Sequence, residues 1–331
     1  MKLDPVFSDN AVFAADKPIR VFGDGCGDFT VSFLGEKRSV KACGRWCVEF
    51  PPQKAGGPYE MTIKSCGEEI TLKNIHIGRV YLLIGQSNAE FRLCQSKTDV
   101  SEYADDPLLR GFFVKRPWID VDVLEEVWAE AEADKVGDWS ALGYLAGKLV
   151  RAKYAEPVGV ISCFQGASII ESWLPEKKAE KFALPVEQLH IDHTYPEFTA
   201  WNKNGVIYKK MLSPLFPYSL SGVIWYQGES DTTVAEGAIY DKELASLIRV
   251  IREAQNDASL HFAVIQIADF DGRKEYDPEG WTAIQNAQER AVQTDAHASL
   301  VISRDVCEST GIHPTRKTEL SVRAAKSLFE N

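Results

Sequence analysis

Residues 79–90 of this 331-residue chain are Arg-Val-Tyr-Leu-Leu-Ile-Gly-Gln-Ser-Asn-Ala-Glu, an apolar run that ends in a glycine and three polar residues. The apolar part, 80–84, contains two β-branched residues and predicts a buried strand. Gly85 permits a tight exit, and Ser87 follows almost at once. A serine at a strand-to-helix turn presents its hydroxyl outward, beside N–H groups that can face a developing negative charge. Gly-x-Ser also occurs in ordinary turns, so the rest of the chain must decide whether Ser87 is a nucleophile.

Beyond this stretch, strand and helix patterns alternate to the end of the chain. The predicted strands are 80–84, 112–115, 158–164, 222–226, 262–267 and 300–303. The predicted helices are 141–154, 239–254, 282–293 and 315–328. This alternation predicts an α/β fold with a mostly parallel sheet and helices on both faces, in which ligands bind at the carboxyl ends of the strands.

The first 78 residues have a different pattern, with short β-rich runs separated by turn residues and almost no helical periodicity. Such spacing predicts a small antiparallel sandwich or barrel. We therefore expect two domains, an all-β domain at 1–78 and an α/β domain at 79–331.

Composition excludes several classes of partner. The net charge of −11 argues against binding to a nucleic-acid backbone, and an anionic substrate would need local Arg or Lys. The chain contains neither a run of about 18 apolar residues nor a signal-peptide core, so we expect no membrane partner. The seven cysteines are odd in number and fit neither a disulfide framework nor a zinc site. We interpret them as free thiols in a reducing cytoplasm.

Polar residues follow three further predicted strands. They are Gln165-Gly166-Ala167-Ser168, Gln227-Gly228-Glu229-Ser230-Asp231 and, after the last strand, Arg304, Asp305 and His313. A serine nucleophile needs an adjacent base, the base benefits from an orienting partner, and the oxyanion needs hydrogen-bond donors. The strand ends together supply all of these groups.

Each candidate also has a simpler interpretation. His313 could be a turn residue before the last helix, and Gln227 and Glu229 could be buried polar residues that satisfy one another. His190 and His193 are more simply loop residues than ligands. Trp173 and Trp201 could line a sugar site, but a tryptophan is usually a core or rim packing residue.

Three motifs carry a family resemblance. Gly85-Gln86-Ser87-Asn88, residues 225–231 (Trp-Tyr-Gln-Gly-Glu-Ser-Asp) and Ile312-His313-Pro314 resemble the sialate O-acetylesterase family, SGNH-type hydrolases related to some acetylxylan esterases. Residues 7–10 and 54–59 resemble the β-domain that precedes the hydrolase in these proteins. The resemblance implies an SGNH-like, flavodoxin-type parallel sheet preceded by a small β-sandwich.

By this resemblance Ser87 is the nucleophile and His313 the general base of an acyl-enzyme mechanism without metal or cofactor. The implied oxyanion hole consists of the N–H of Ser87, the N–H of Gly166 and the side-chain amide of Gln227. The residues that support the motifs are Gln86, Asn88 and Glu229.

The acid of the triad departs from the family pattern. Many relatives have an aspartate two or three residues before the histidine, where this chain has Gly311 and Thr310. Asp305 at the strand end is our first candidate and Glu308 the second. A Ser–His dyad is the third possibility.

These observations predict a cytoplasmic serine esterase that removes acetyl groups from small carbohydrates, with O-acetylated sialic acid as the expected substrate. One alternative is acetylxylan or another acetylated oligosaccharide. An alternative of another class is a sugar-binding protein with weakened catalysis, which the missing acid would permit.

Overall fold

The computed structural model describes residues 1–120, 122–272 and 277–329. The strands are β1 Lys2–Leu3, β2 Val12–Ala14, β3 Ile19–Phe33, β4 Glu36–Phe50, β5 Gly56–Ser65, β6 Glu68–Gly85, β7 Asp106–Phe113, β8 Trp128–Ala131, β9 Val158–Phe164, β10 Gly222–Tyr226, β11 Phe262–Ile265 and β12 Ala298–Val301. The α-helices are α1 Ser87–Glu90, α2 Ala141–Tyr154, α3 Glu176–Ala179, α4 Val234–Gly237, α5 Tyr240–Gln255, α6 Pro278–Gln293 and α7 Thr318–Phe329.

The N-terminal part is mainly antiparallel. Strand β3 pairs with β1, β4 and β5, and β5 pairs with the first half of β6. The short β2 runs parallel to β6. Buried aromatic rings pack beneath these strands, among them Phe29 stacked on Trp46 at 4.7 Å between ring centroids. Two of the short β-rich runs, at 19–22 and 29–34, are not separate strands: β3 extends over Ile19–Phe33, because the glycine-rich residues between the runs stay extended and pair with β4.

One cysteine pair corrects the expectation of free thiols. Cys26 and Cys43 are directly opposite on β3 and β4 and form a disulfide. Sequence spacing cannot detect a cross-strand pair, because the pairing depends on the register of the two strands. The other cysteines are free thiols.

Strand β6 belongs to both halves of the molecule. Its second half, from Arg79 to Gly85, pairs in parallel with β9 on one side and, from Tyr81 onward, with β10 on the other. The predicted domain boundary between residues 78 and 79 therefore lies within this strand.

The second half of β6 is the centre of a parallel arrangement in the order β7-β9-β6-β10-β11-β12, with β8 antiparallel at the edge. The mixed α/β class is confirmed. Both neighbours of β6 come later in the chain and lie on opposite sides of it. A strand of this kind ends at a topological switch point, where open α/β sheets bind ligands.

The predicted elements near this centre agree with the structure. The ranges 158–164, 222–226 and 141–154 coincide with β9, β10 and α2. Strand β7 differs, because it begins at Asp106 and ends at Phe113, earlier than predicted, through its pairing with β9. Helices α2 and α7 pack on each other, as do α5 and α6. In the part of the chain that the structure describes, no helix has the length and apolar character to cross a bilayer.

Candidate active site

Ser87 lies where the central strand ends. Gly85 has a φ of +144°, and a Cβ on it would lie 2.0 Å from the carbonyl oxygen of Tyr226 on β10. Only glycine fits this exit from β6. The next N–H, of Gln86, donates to the same Tyr226 oxygen at 3.1 Å, and Ser87 then begins α1. The strand pairing of β6 and β10 thus determines where the serine hydroxyl stands.

The structure brings Ser87 and His313 together although 226 residues separate them. His313 Nε2 lies 2.7 Å from Ser87 Oγ, and the imidazole stacks against Phe91 with 6.2 Å between ring centroids. Burial and then the charge of Lys317 lower the pKa of His313 below its ordinary value. A neutral imidazole at hydrogen-bond distance can accept the proton of the serine hydroxyl, which is what a general base requires.

Asn88 connects the serine turn to the histidine loop. Its side-chain amide donates to Glu229 Oε1 at 2.6 Å and to the carbonyl oxygen of Ile312 at 2.8 Å. Its Oδ1 accepts a hydrogen bond from Lys317 Nζ at 3.0 Å. Ile312, the residue before His313, is therefore tied to Asn88, the residue after Ser87, and Glu229 shares this contact.

Lys317 is a site residue that the sequence analysis missed. It is 1% exposed and its Nζ lies over the rings of Phe91 and Tyr226, 5.1 and 5.2 Å from their centroids. Burial lowers the pKa of Lys317 to about 8. The available signal was its position four residues after His313, at the start of a helix whose other inward residues are apolar or small.

Gly166 lies over the serine, as predicted from the strand end. A Cβ on Gly166 would lie 3.7 Å from the Cβ of Ser87, and the chain is held there because Gln165 N donates to the carbonyl oxygen of Gly85 at 3.0 Å. Within residues 1–120, 122–272 and 277–329, the backbone N–H groups of Ser87 and Gly166 have no hydrogen-bond acceptor. Both remain available to an oxyanion.

The side chain of Gln227 is used inside the fold. It is fully buried, and its amide nitrogen donates to the carbonyl oxygen of Ser168 at 2.8 Å and to a carboxylate oxygen of Asp231. Its Oε1 accepts from Tyr240 at 2.8 Å. Both amide hydrogens of Gln227 therefore have acceptors inside the fold. The predicted direct role of this amide in the oxyanion hole does not agree with the structure. The backbone N–H of the next residue, Gly228, donates to Gln86 Oε1 at 3.3 Å, which gives Gln86 its supporting contact.

The structure places neither acid candidate on His313. Asp305 is exposed and binds Arg323 through both carboxylate oxygens, at 2.6 and 2.8 Å, and this pairing lowers the pKa of Asp305. Glu308 accepts hydrogen bonds from the backbone N–H groups of Thr315 and Arg316. Burial opposes ionisation of Glu308, but these bonds and that of the Thr315 hydroxyl lower its pKa to about 2. In the described part of the chain, the side chain of His313 is hydrogen-bonded to Ser87 alone.

Aromatic residues flank the loop that carries Gly166. Trp118 Nε1 donates to Gln165 Oε1 at 2.6 Å, and the partly exposed rings of Trp118 and Trp201 lie 5.8 Å apart. The exposed Lys210 has its Nζ 6.0 Å from the Trp118 ring. Trp173 is instead fully buried, so it is a packing residue.

One group of described residues, Glu171, His193 and Asp231, could hold a metal ion. None of the three is hydrogen-bonded to Ser87 or His313 within the described ranges. The interpretation of His193 as an ordinary loop residue is incomplete, because its side chain is only 6% exposed and faces carboxylates.

A serine–histidine pair at the switch point of a parallel sheet, with free N–H groups beside it, is an arrangement typical of serine hydrolases. Comparison with known proteins specifies the family. The family described as "Carbohydrate esterase, sialic acid-specific acetylesterase" matches residues 77–329, and the chain belongs to this family.

Individual relatives agree with this assignment. Sialate O-acetylesterases of Homo sapiens and Pongo abelii are 25% and 24% identical to the chain in alignments of 319 positions that cover 86% of this chain. The match spans 60% of the length of each of these relatives. A crystal structure of a carbohydrate acetylesterase from Xanthomonas citri is 29% identical, with a TM-score of 0.83, over 98% of this chain and 74% of that one.

Proposed function

We propose that this protein is a serine esterase that removes O-acetyl groups from sugars through an acyl-enzyme intermediate. The observation that carries the proposal is the 2.7 Å contact between Ser87 Oγ and His313 Nε2 at the end of β6. In the first step His313 accepts the serine proton while Oγ bonds to the acetyl carbon. The sugar oxygen leaves with that proton, and water then releases acetate by the same route in reverse.

The N–H groups of Ser87 and Gly166 would hold the oxyanion of each tetrahedral intermediate. Gln227 would support this hole indirectly, since its amide binds the carbonyl oxygen of Ser168 in the loop that carries Gly166. With both candidate acids engaged elsewhere, we propose a Ser–His dyad whose histidine is positioned by Asn88 and Lys317. The dyad would be part of an SGNH-type domain preceded by a β-sandwich.

O-Acetylated sialic acid is the substrate that the surroundings of the site favour. The rings of Trp118 and Trp201 offer partly exposed apolar faces, on which a sugar ring can pack. Lys210 beside Trp118 provides a cation for the carboxylate of an anionic sugar, which a chain of net charge −11 needs locally. A neutral acetylated xylo-oligosaccharide, the second candidate, would use the same rings but not the charge. The cytoplasmic location stays a prediction, and the disulfide between Cys26 and Cys43 is more usual in oxidising compartments.

The test measures acetate release from 9-O-acetyl sialic acid, acetylated xylo-oligosaccharides and acetylated hexoses. Ser87→Ala should abolish release, whereas Ser39→Ala on the distant strand β4 should not affect it. Lys210→Ala should lower kcat/KM for the sialic acid substrate and leave the neutral sugars unchanged. Full activity of Ser87→Ala would refute the serine mechanism, and an equal effect of Lys210→Ala on all sugars would refute the assignment of the anionic substrate.

A further inference from the structure

A second cluster of ionisable groups lies beneath the loop after β9. His193 is surrounded by the carboxylates of Glu171, Asp231 and Glu236, and the four side chains are between 2 and 9% exposed. They come from four separate turns and helices, and the esterase mechanism uses none of them. Polar groups so completely buried require partners of matching chemistry.

Three side chains of the cluster, Glu171, His193 and Asp231, have potential ligand atoms within 4.8 Å of one another. His193 Nε2 lies 2.7 Å from Glu236 Oε1, 3.5 Å from Asp231 Oδ1 and 4.0 Å from Glu171 Oε2. Despite these distances, His193 Nε2 makes no hydrogen bond of acceptable geometry among the described residues. Glu171 Oε2 is buried, faces the ring nitrogen and likewise has no hydrogen-bond donor there. These two groups therefore point to a ligand within the cluster.

The excess of buried carboxylates also indicates a bound cation. Three carboxylates surround one imidazole, and a fourth, Glu243, is 2% exposed with an oxygen that has no hydrogen-bond donor. In the described ranges no Lys or Arg forms an ion pair with any of these carboxylates. A buried carboxylate is costly in its ionised form unless a cation pairs with it. A cation would remove that cost.

We propose that Glu171, His193 and Asp231 bind one divalent transition-metal ion, Zn²⁺ or Mn²⁺. Imidazole nitrogen with carboxylate oxygens is a ligand set that these ions accept, whereas Ca²⁺ and Mg²⁺ prefer oxygen alone. Ligand atoms about 2.1 Å from a tetrahedral ion are about 3.4 Å apart, close to the 3.5 Å found between His193 and Asp231. Binding would release the proton of His193, because only the neutral ring coordinates.

The ion would have a positioning role. It joins the turn Ile170–Trp173, the turn Ile191–His193 and the turn Glu229–Asp231. Asp231 also accepts a hydrogen bond from Gln227, whose amide holds the carbonyl oxygen of Ser168. An ion in the cluster thus stabilises the loop that presents Gly166 without touching substrate.

The first test measures metal content in untagged protein purified without added chelator or metal. We expect about one ion of Zn or Mn per chain by elemental analysis. Removal by chelation should lower Tm by about 6 °C, the shift expected for a chain of this length when the ion is present at ~1,000 times its Kd. Zn²⁺ or Mn²⁺ should restore Tm, and Mg²⁺ should not.

The matched variants are Glu171→Gln and Asp295→Asn, the second of which breaks the ion pair with Arg252 away from the cluster. Glu171→Gln should lose the ion and its response to chelation, and Asp295→Asn should retain both. Should Glu171→Gln fail to fold, the metal content and chelator response of the unaltered protein still decide the question. Metal-free protein whose Tm does not respond to Zn²⁺ or Mn²⁺ would overturn the proposal. In that case a protonated His193 would balance the carboxylates. Burial lowers the pKa of His193, but Asp231 and Glu236 raise it to about 11.

Discussion

Replacement of Asn88 by alanine tests whether this residue holds His313, the proposed general base, in place. The side chain makes three hydrogen bonds, to Glu229 at 2.6 Å, to the carbonyl oxygen of Ile312 at 2.8 Å and from Lys317 at 3.0 Å. Two of the partners are ionisable groups that are almost fully buried. The substitution therefore leaves a buried carboxylate and a buried ammonium without their shared partner.

The structure supports an estimate of the loss in stability. Hydrogen bonds to charged groups contribute about 1.5–3 kcal/mol each and a neutral one about 0.5–1.5 kcal/mol, so Asn88→Ala should cost about 3.5–7.5 kcal/mol. The unfolding entropy of a chain of this length is about 0.7 kcal/mol/K, so Tm should fall by about 5–11 °C. Release of the Ile312 carbonyl also loosens the contact between His313 and Ser87, and we expect kcat to fall about 5- to 100-fold.

The assay is nitrophenyl acetate hydrolysis at a temperature well below the lowered Tm, together with thermal unfolding. Gln255→Ala is the matched control, because Gln255 is equally buried and makes side-chain hydrogen bonds at 3.0 and 3.2 Å to backbone groups remote from the site. It should lower Tm by about 1–4 °C and leave kcat unchanged. Asn88→Ala with the kcat of the unaltered protein would refute the positioning role, and a Tm within 2 °C of it would refute the estimate.

Three further predictions concern neighbouring residues. Lys317→Met should move the acid limb of the pH–kcat/KM profile to higher pH, because the lost charge no longer opposes protonation of His313; an unchanged limb would show that Lys317 does not influence the base. Asp305→Asn should retain full kcat, since its carboxylate binds Arg323 at the surface, and a loss of about two orders of magnitude would restore it as the triad acid. Gly85→Ala should yield little folded protein in an expression and solubility assay, because its Cβ would lie 2.0 Å from a carbonyl oxygen at a φ of +144°; a soluble variant of normal Tm would contradict this.

Local sequence was sufficient for the elements at the centre of the fold. The apolar run at 158–164 is β9, and the periodic stretch at 141–154 is α2, because each has one strong pattern with clear ends. Predictions were less accurate where pairing overrides local composition. Strand β3 runs through a glycine-rich segment that the sequence suggests is a turn, since β4 supplies its hydrogen bonds along the whole length.

In the candidate site, too, some residues were predictable from local sequence and others were not. Ser87 and Gly166 each stand two residues after the ends of β6 and β9, and these two strands pair side by side with Gly85 opposite Phe164. Strand pairing therefore brings the two residues together, and the sequence pattern alone could indicate their proximity. Asp305 was chosen for its place at a strand end, but Arg323 on α7 lies close enough to bind it, a contact that depends on helix placement. Gln227 was assigned to the oxyanion hole for its position in a motif, whereas Ser168 and Asp231 accept its amide hydrogens.

The sequence by itself determined the α/β class and the strand that Ser87 follows, because these depend on apolar patterns, and the family resemblance of its motifs predicted the pairing of Ser87 with His313. Only the tertiary structure decided which groups surround that pair. The ammonium of Lys317, the amide of Asn88 and the carboxylates around His193 meet residues far away in the chain. The burial, the charge environment and the hydrogen-bond partners of these groups depend on long-range contacts, and local sequence does not predict such contacts.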